Sequence, residues 1–168
     1  MHKDNLISKT IARAWAHYRD WVKSSRRKAN FRNIHALRVA TERLEAIIVI
    51  CRALFKSNHG KKLIQSFKET RKKLGPLRDL QVESEVSESE VKNSELKKFS
   101  KFISKKKRRA EGFSLRYLSA IPLKKEKRLI KQILSKKLIL AEQSQTAKNM
   151  KILLEPIMQY AVRKFYGA

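Results

Sequence analysis

The 168-residue chain carries 41 Lys and Arg against 15 Asp and Glu, a formal net charge of +26. Its length and 42% hydrophobic residues suit one domain with its own core, while four Gly, three Pro and one Cys are too few for a turn-rich β fold, a disulfide framework or a cysteine metal site. Such a charge points to a polyanionic partner bound with release of its counterions, and does not say which polyanion.

Residues Met1 to Asn5 lack the basic-then-apolar layout of a secretory signal, and no apolar run approaches ~18 residues, so a cytoplasmic protein without a membrane span is expected. Ile7, Ile11, Ala14, Trp15, Tyr18 and Val22 then recur at helical spacing, with Lys9, Arg13, His17 and Asp20 on the other face. A second helix is predicted from near Asn30 to about Ser57, with Leu37, Ala40, Leu44, Ile47, Ile48, Cys51 and Phe55 as its apolar stripe. Cys51 sits in that stripe as a small core residue, and Asn58-His59-Gly60 closes the helix.

A third helix carries Leu63, Ile64, Phe67 and Leu74 and meets Gly75-Pro76, predicted to be a stop followed by a restart. The restarted helix, Leu77 to Val82, runs into an acidic, serine-rich stretch at about 83–90 that reads as a flexible link. From about Val91 a long helix places Leu96, Phe99, Ile103, Ala110 and Phe113 on its apolar side and clusters Lys98, Lys101, Lys105, Arg108 and Arg109 opposite, until Ile121-Pro122 interrupts it. A sixth helix starts near Leu123 with Leu129, Ile130, Ile133 and Leu134, and a seventh spans about Ala147 to Phe165, kinked or divided at Pro156. This pattern describes one all-α domain over 1–168, a bundle of about six to seven helices.

Catalytic and metal signatures are scarce. No nucleophile elbow, HExxH, CxxC or GxxxxGK[ST] loop occurs, so neither an enzyme, a cofactor nor a metal is called for. His17 and His35 can meet in a bundle, but two histidines without placed carboxylates make a weak metal argument. On the second helix His35, Arg38, Glu42 and Glu45 share one side, roughly opposite Leu37, Leu44, Ile48 and Cys51. By spacing alone this is either a solvated face with an Arg38–Glu42 pair or a binding face.

The segment His35-Ala36-Leu37-Arg38-Val39-Ala40-Thr41-Glu42-Arg43-Leu44-Glu45-Ala46, followed by Leu74-Gly75-Pro76-Leu77-Arg78-Asp79-Leu80-Gln81-Val82, resembles the two motif blocks of the conserved histidine α-helical domain (CHAD) family. The clear match covers about Ile34 to Val82. The resemblance implies an antiparallel helical bundle whose basic faces line a groove for inorganic polyphosphate, with sulfate or phosphate ions as mimics, in a non-catalytic module often associated with polyphosphate granules. Carried over by position, His35, Arg38 and Arg43 belong to the anion-binding helix, and Lys68, Lys72 and Arg78 come from the second block and the helix before it. Arg13 and His17 of the first helix and Lys105, Arg108 and Arg109 of the long one complete the candidate set, while Asp79 orients or caps. Glu42 and Glu45 stand where the family usually has arginine, and Gln81 where it has an acid. Full-length members contain two related halves and this chain has one HxxR motif, so a homodimer would supply the second.

Two rivals remain from other classes. A basic helical protein that binds RNA or DNA fits the charge equally well, and non-specific binding at low salt is expected in any case; against it, Trp15, Trp21 and most Phe residues fall at apolar helical positions and read as core rather than stacking platforms. An enzyme of polyphosphate metabolism would need Glu83, Glu85, Glu88 and Glu90 to hold Mg²⁺, but their alternation among serines reads as a solvated linker.

Overall fold

The computed structural model describes residues 6–55, 60–89 and 94–134, and among these every regular element is an α-helix. They are α1 (Leu6–Arg27), α2 (Phe31–Phe55), α3 (Gly60–Ser89), α4 (Ser94–Ala120) and α5 (Leu123–Leu134). The all-α expectation holds, with five helices among the described residues rather than six to seven. The helix expected at 147–165 and its kink at Pro156 lie outside the described residues.

The predicted break at Gly75-Pro76 is absent, because α3 runs through it with Pro76 inside. Proline at this position removes one backbone bond and crowds the Lys72 carbonyl, a cost of ~3 kcal/mol. Packing on both sides outweighs it: Leu74 before the pair and Leu77 after it are fully buried, as are Leu63 and Phe67 on the same face, each apolar side chain contributing roughly 1.5–3 kcal/mol. Pro76 itself lies on the exposed side. The acidic stretch read as a link is likewise helical through Ser89. Its Ser84 is buried and accepts a 3.0 Å hydrogen bond from the Lys107 ammonium of α4, which fastens the last turns of α3 to α4.

α1 packs on α2, α2 on α3 and α3 on α4, and α5 fits between α1 and α3 on the side away from α2. The core is built from Ile11, Tyr18 and Val22 of α1, Ile34, Leu37, Leu44 and Ile48 of α2, the α3 residues above, Leu118 of α4 and Ile130 of α5. Tyr18 meets the edge of Phe67 at 5.2 Å between ring centres. At the tightest approach, a Cβ on Gly60 would lie 2.7 Å from the Ile48 Cγ2 atom, so only glycine lets α3 start so close to α2. Cys51 is buried as expected, and burial pushes its thiol up to about 11, leaving it protonated at neutral pH.

Polar joints hold the turns. The Asn30 side chain caps α2 by accepting from the Asn33 N–H at 2.8 Å. Arg26 at the end of α1 donates to the carbonyls of Leu118 and Ile121, each at 2.9 Å, and so partners groups that the end of α4 leaves without helical donors. Glu126 of α5 is buried, 2% exposed, and its carboxyl accepts from the Ser66 hydroxyl of α3 at 2.6 Å and the Tyr18 hydroxyl of α1 at 3.3 Å. Burial raises its pKa above the ordinary carboxylate range, against the opposing pull of the Ser66 and Tyr18 hydrogen bonds and the Arg26 charge.

One expected core stripe is corrected. Phe99 and Phe113 of α4, assigned to its apolar side, are 48% and 46% exposed, and Phe102 is 53% exposed. Ile103 of the same stripe is buried as expected, and Ser114 and Leu118 face the bundle with it.

Two outcomes follow from these contacts. Gly75 is helical and directly precedes Pro76, so only a residue without a Cβ escapes the crowding by the proline Cδ; Pro76→Ala, which removes that crowding and restores the missing backbone N–H, should raise stability by ~1–3 kcal/mol in urea unfolding, whereas a helix stop at this pair would leave the change neutral or destabilising. A carboxyl whose pKa is higher folded than unfolded contributes stability that is full below the unfolded value and lost as pH rises through the folded one. Melting of Glu126→Gln against the parent should therefore favour the amide increasingly as pH rises from about 5 to about 8, whereas a flat difference would mean that the buried group does not titrate.

Candidate functional site

α2 lies between α1 and α3, and the side it turns away from the core carries His35, Val39 and Glu42. Both flanks of this ridge bear cations. On the α1 side a cavity of about 230 Å³ is lined by His17 and Trp21 of α1 and by His35, Val39 and Arg43 of α2. Its remaining lining is Ala14, Ala36 and Ala40, small residues that leave the opening between the helices. Arg13 stands exposed one turn before His17.

On the α3 side the cations are already engaged. Arg38 donates to the Arg71 carbonyl at 3.2 Å instead of pairing with Glu42. Arg71 in turn contacts the Glu45 carboxylate at 2.6 Å. The Arg78 guanidinium lies 4.0 Å from the centre of the Phe31 ring, and that ring stacks beside His35 at 6.4 Å and 21°. Arg78, Phe31 and His35 thus form a continuous file from α3 to the ridge, in which a cation rests on the ring that also stacks beside the imidazole.

These contacts account for two departures from the family motif. Glu45 of α2 has its counter-charge in Arg71 of α3. Gln81 is buried and donates from its amide nitrogen to the Ala29 carbonyl at 2.9 Å, a bond that a carboxylate cannot make because it has no proton to give.

Of the residues singled out in the sequence, His17, His35 and Arg43 come together around the α1–α2 cavity, with Arg13 beside it. Arg38 and Arg78 gather on the α2–α3 seam, and Lys68 and Lys72 are exposed on α3 opposite its buried side. Lys105, Arg108 and Arg109 are also exposed, but on α4, which packs on α3 and α1 and lies across the bundle from α2. They do not join the His35 cluster. Phe31, Arg71 and Trp21 belong to the site and were missed. Phe31 was readable as an aromatic four residues before His35, and Arg71 as a cation seven before Arg78, each on one helix face with its neighbour. Among the described residues, no group of three or more His, Cys, Asp or Glu can hold a metal ion, and no helix is long and apolar enough to cross a membrane.

A family model described as the CHAD domain matches residues 9–165, nearly the whole chain. No curated protein and no solved structure matches it.

The Glu45–Arg71 contact sets a stability test. Removing either side chain alone, by Glu45→Ala or Arg71→Ala, should cost about 1–3 kcal/mol because the partner charge is left without its counter-charge away from bulk water. The double replacement Glu45→Leu with Arg71→Leu should recover most of that loss. Additive losses in urea unfolding would show that the two charges act independently.

Proposed function

Because the chain belongs to the CHAD domain family, we propose that it is a non-catalytic module that binds inorganic polyphosphate along the outward face of α1, α2 and α3. The observation that carries this reading is the convergence of His17, His35 and Arg43 on one cavity beside a ridge whose other flank holds Arg38, Arg71 and Arg78. Inorganic polyphosphate is a flexible string of roughly one negative charge per phosphate with no bases to read, so recognition rests on charge density and shape. Rigid helices suit this task, since their i,i+3 and i,i+4 spacing sets cations in rows, arginine acting as a fork and lysine as a point charge. The α1–α2 cavity gives the chain a place to seat, and Lys68, Lys72 and Arg13 extend the positive surface on either side of it.

Arg38 and Arg78 hold α3 and the Phe31–His35 pair in position, while His17, His35 and Arg43 face the cavity. Glu42 is the acidic side chain exposed on the ridge, two turns beyond His35, and it opposes any polyanion laid there.

A competition titration tests the proposal, with labelled long-chain polyphosphate at about 0.15 M salt challenged by phosphate-matched single-stranded RNA and duplex DNA. Polyphosphate should survive the competition, and His35→Ala with Arg43→Ala should weaken it at least tenfold, while Glu42→Arg should tighten it severalfold. Equal displacement by nucleic acid, or indifference to all three substitutions, would contradict the assignment. Glu45 is left intact, because an arginine there would face Arg71 across the closed seam.

A further inference from the structure

The exposed side of α4 carries two stripes that polyphosphate binding on α2 does not use. Phe99, Phe102 and Phe113, each about half exposed, fall within roughly 60° of arc at 100° per residue. Lys98, Lys105, Arg109 and Arg116, all exposed, form a narrow row directly beside them. At 1.5 Å per residue the rings span about 21 Å along the helix. A single exposed Phe is ordinary, but three in one sector of one helix, Phe99 and Phe102 one turn apart and Phe113 about 16 Å further along, make an interrupted aromatic stripe of the kind that marks an interaction site.

Cations are woven into the rings. The Lys106 ammonium of α4 sits 4.4 Å from the centre of the Phe102 ring, and the Lys73 ammonium of α3 sits 5.7 Å from that of Phe113. This interleaving selects among partners. Inorganic polyphosphate gives the rings nothing to stack on. A lipid surface that took up the rings would draw Lys106, fixed in their midst, toward the apolar layer at a cost. A base-paired duplex keeps its base faces covered. An unpaired strand satisfies both stripes, because its bases stack on the phenylalanines while its phosphates follow the basic row.

We infer that α4 is a platform for single-stranded nucleic acid, separate from the polyphosphate face and across the bundle from it. The inference is independent of the polyphosphate assignment. Its occupant is an unpaired RNA or DNA strand, read by stacking without base identity.

The test is a fluorescence-anisotropy titration of the full chain with a labelled single strand of about 15 nucleotides and with an abasic phosphodiester strand of equal length and charge. The base-bearing strand should bind at least tenfold more tightly. Phe102→Leu with Phe113→Leu, which keeps both positions apolar and removes the rings, should abolish that preference and leave affinity for the abasic strand and for polyphosphate unchanged. If the double variant melts early, Phe102→Trp replaces it, and the indole fluorescence that this substitution adds should be quenched by the base-bearing strand and not by the abasic one. Equal affinity for the two strands, a preference that survives loss of the rings, or an added indole signal that stays unquenched would overturn the platform. Displacement of the strand by vesicles of anionic phospholipid, together with loss of vesicle binding in the leucine variant, would assign the patch to lipid instead.

Discussion

The carboxyl of Glu126 is the point on which the arrangement of helices turns. It is buried between α1 and α3, where it takes the hydroxyls of Tyr18 and Ser66, and it ties α5 into the gap between them. Arg26, close enough to bias the Glu126 charge, also holds the end of α4 by two carbonyls. Fully satisfied buried polar networks of this kind fix one arrangement among several that apolar packing alone would accept. With α1 and α3 spaced on either side of α2, the two seams of α2 acquire their separate characters: an open cavity with His17 and Arg43, and a closed seam with Arg38, Arg71 and Arg78.

A chain with 41 cations and 15 anions must solve a partner shortage. It does so with backbone carbonyls and aromatic faces. Arg26 and Arg38 donate to carbonyls, and Arg78, Lys106 and Lys73 lie over rings. Both solutions hold a cation in place without neutralising it. The positive field therefore survives folding.

The sequence made α1, α2 and α5 legible, because each has one apolar stripe and a clear end: Asn30 caps α2, and Ile121-Pro122 separates α4 from α5. The Gly75-Pro76 pair misled because its local preference is real, and only the burial of Leu77 in the assembled bundle overrides it. On α4 periodicity placed Ile103 correctly on the packed side, yet Ser114 and Leu118 share that side while Phe99 and Phe113 stay exposed, since an apolar sector can be wider than the part of it that meets a neighbour. Within the candidate site, the HxxR block placed His35 on the outward side of α2. It could not tell that Arg38 would turn to Arg71 while Arg43 faced the cavity, a division set by which helix stands on each flank.

The most direct test of the central assignment is a nuclear magnetic resonance titration of the four histidine imidazoles with long-chain polyphosphate. The imidazole signals of His17 and His35 should move together at substoichiometric ligand, ahead of those of His2 and His59. Movement of His17 and His35 no greater than that of the other two, with the protein nonetheless saturated, would place the polyphosphate on another face and contradict the account.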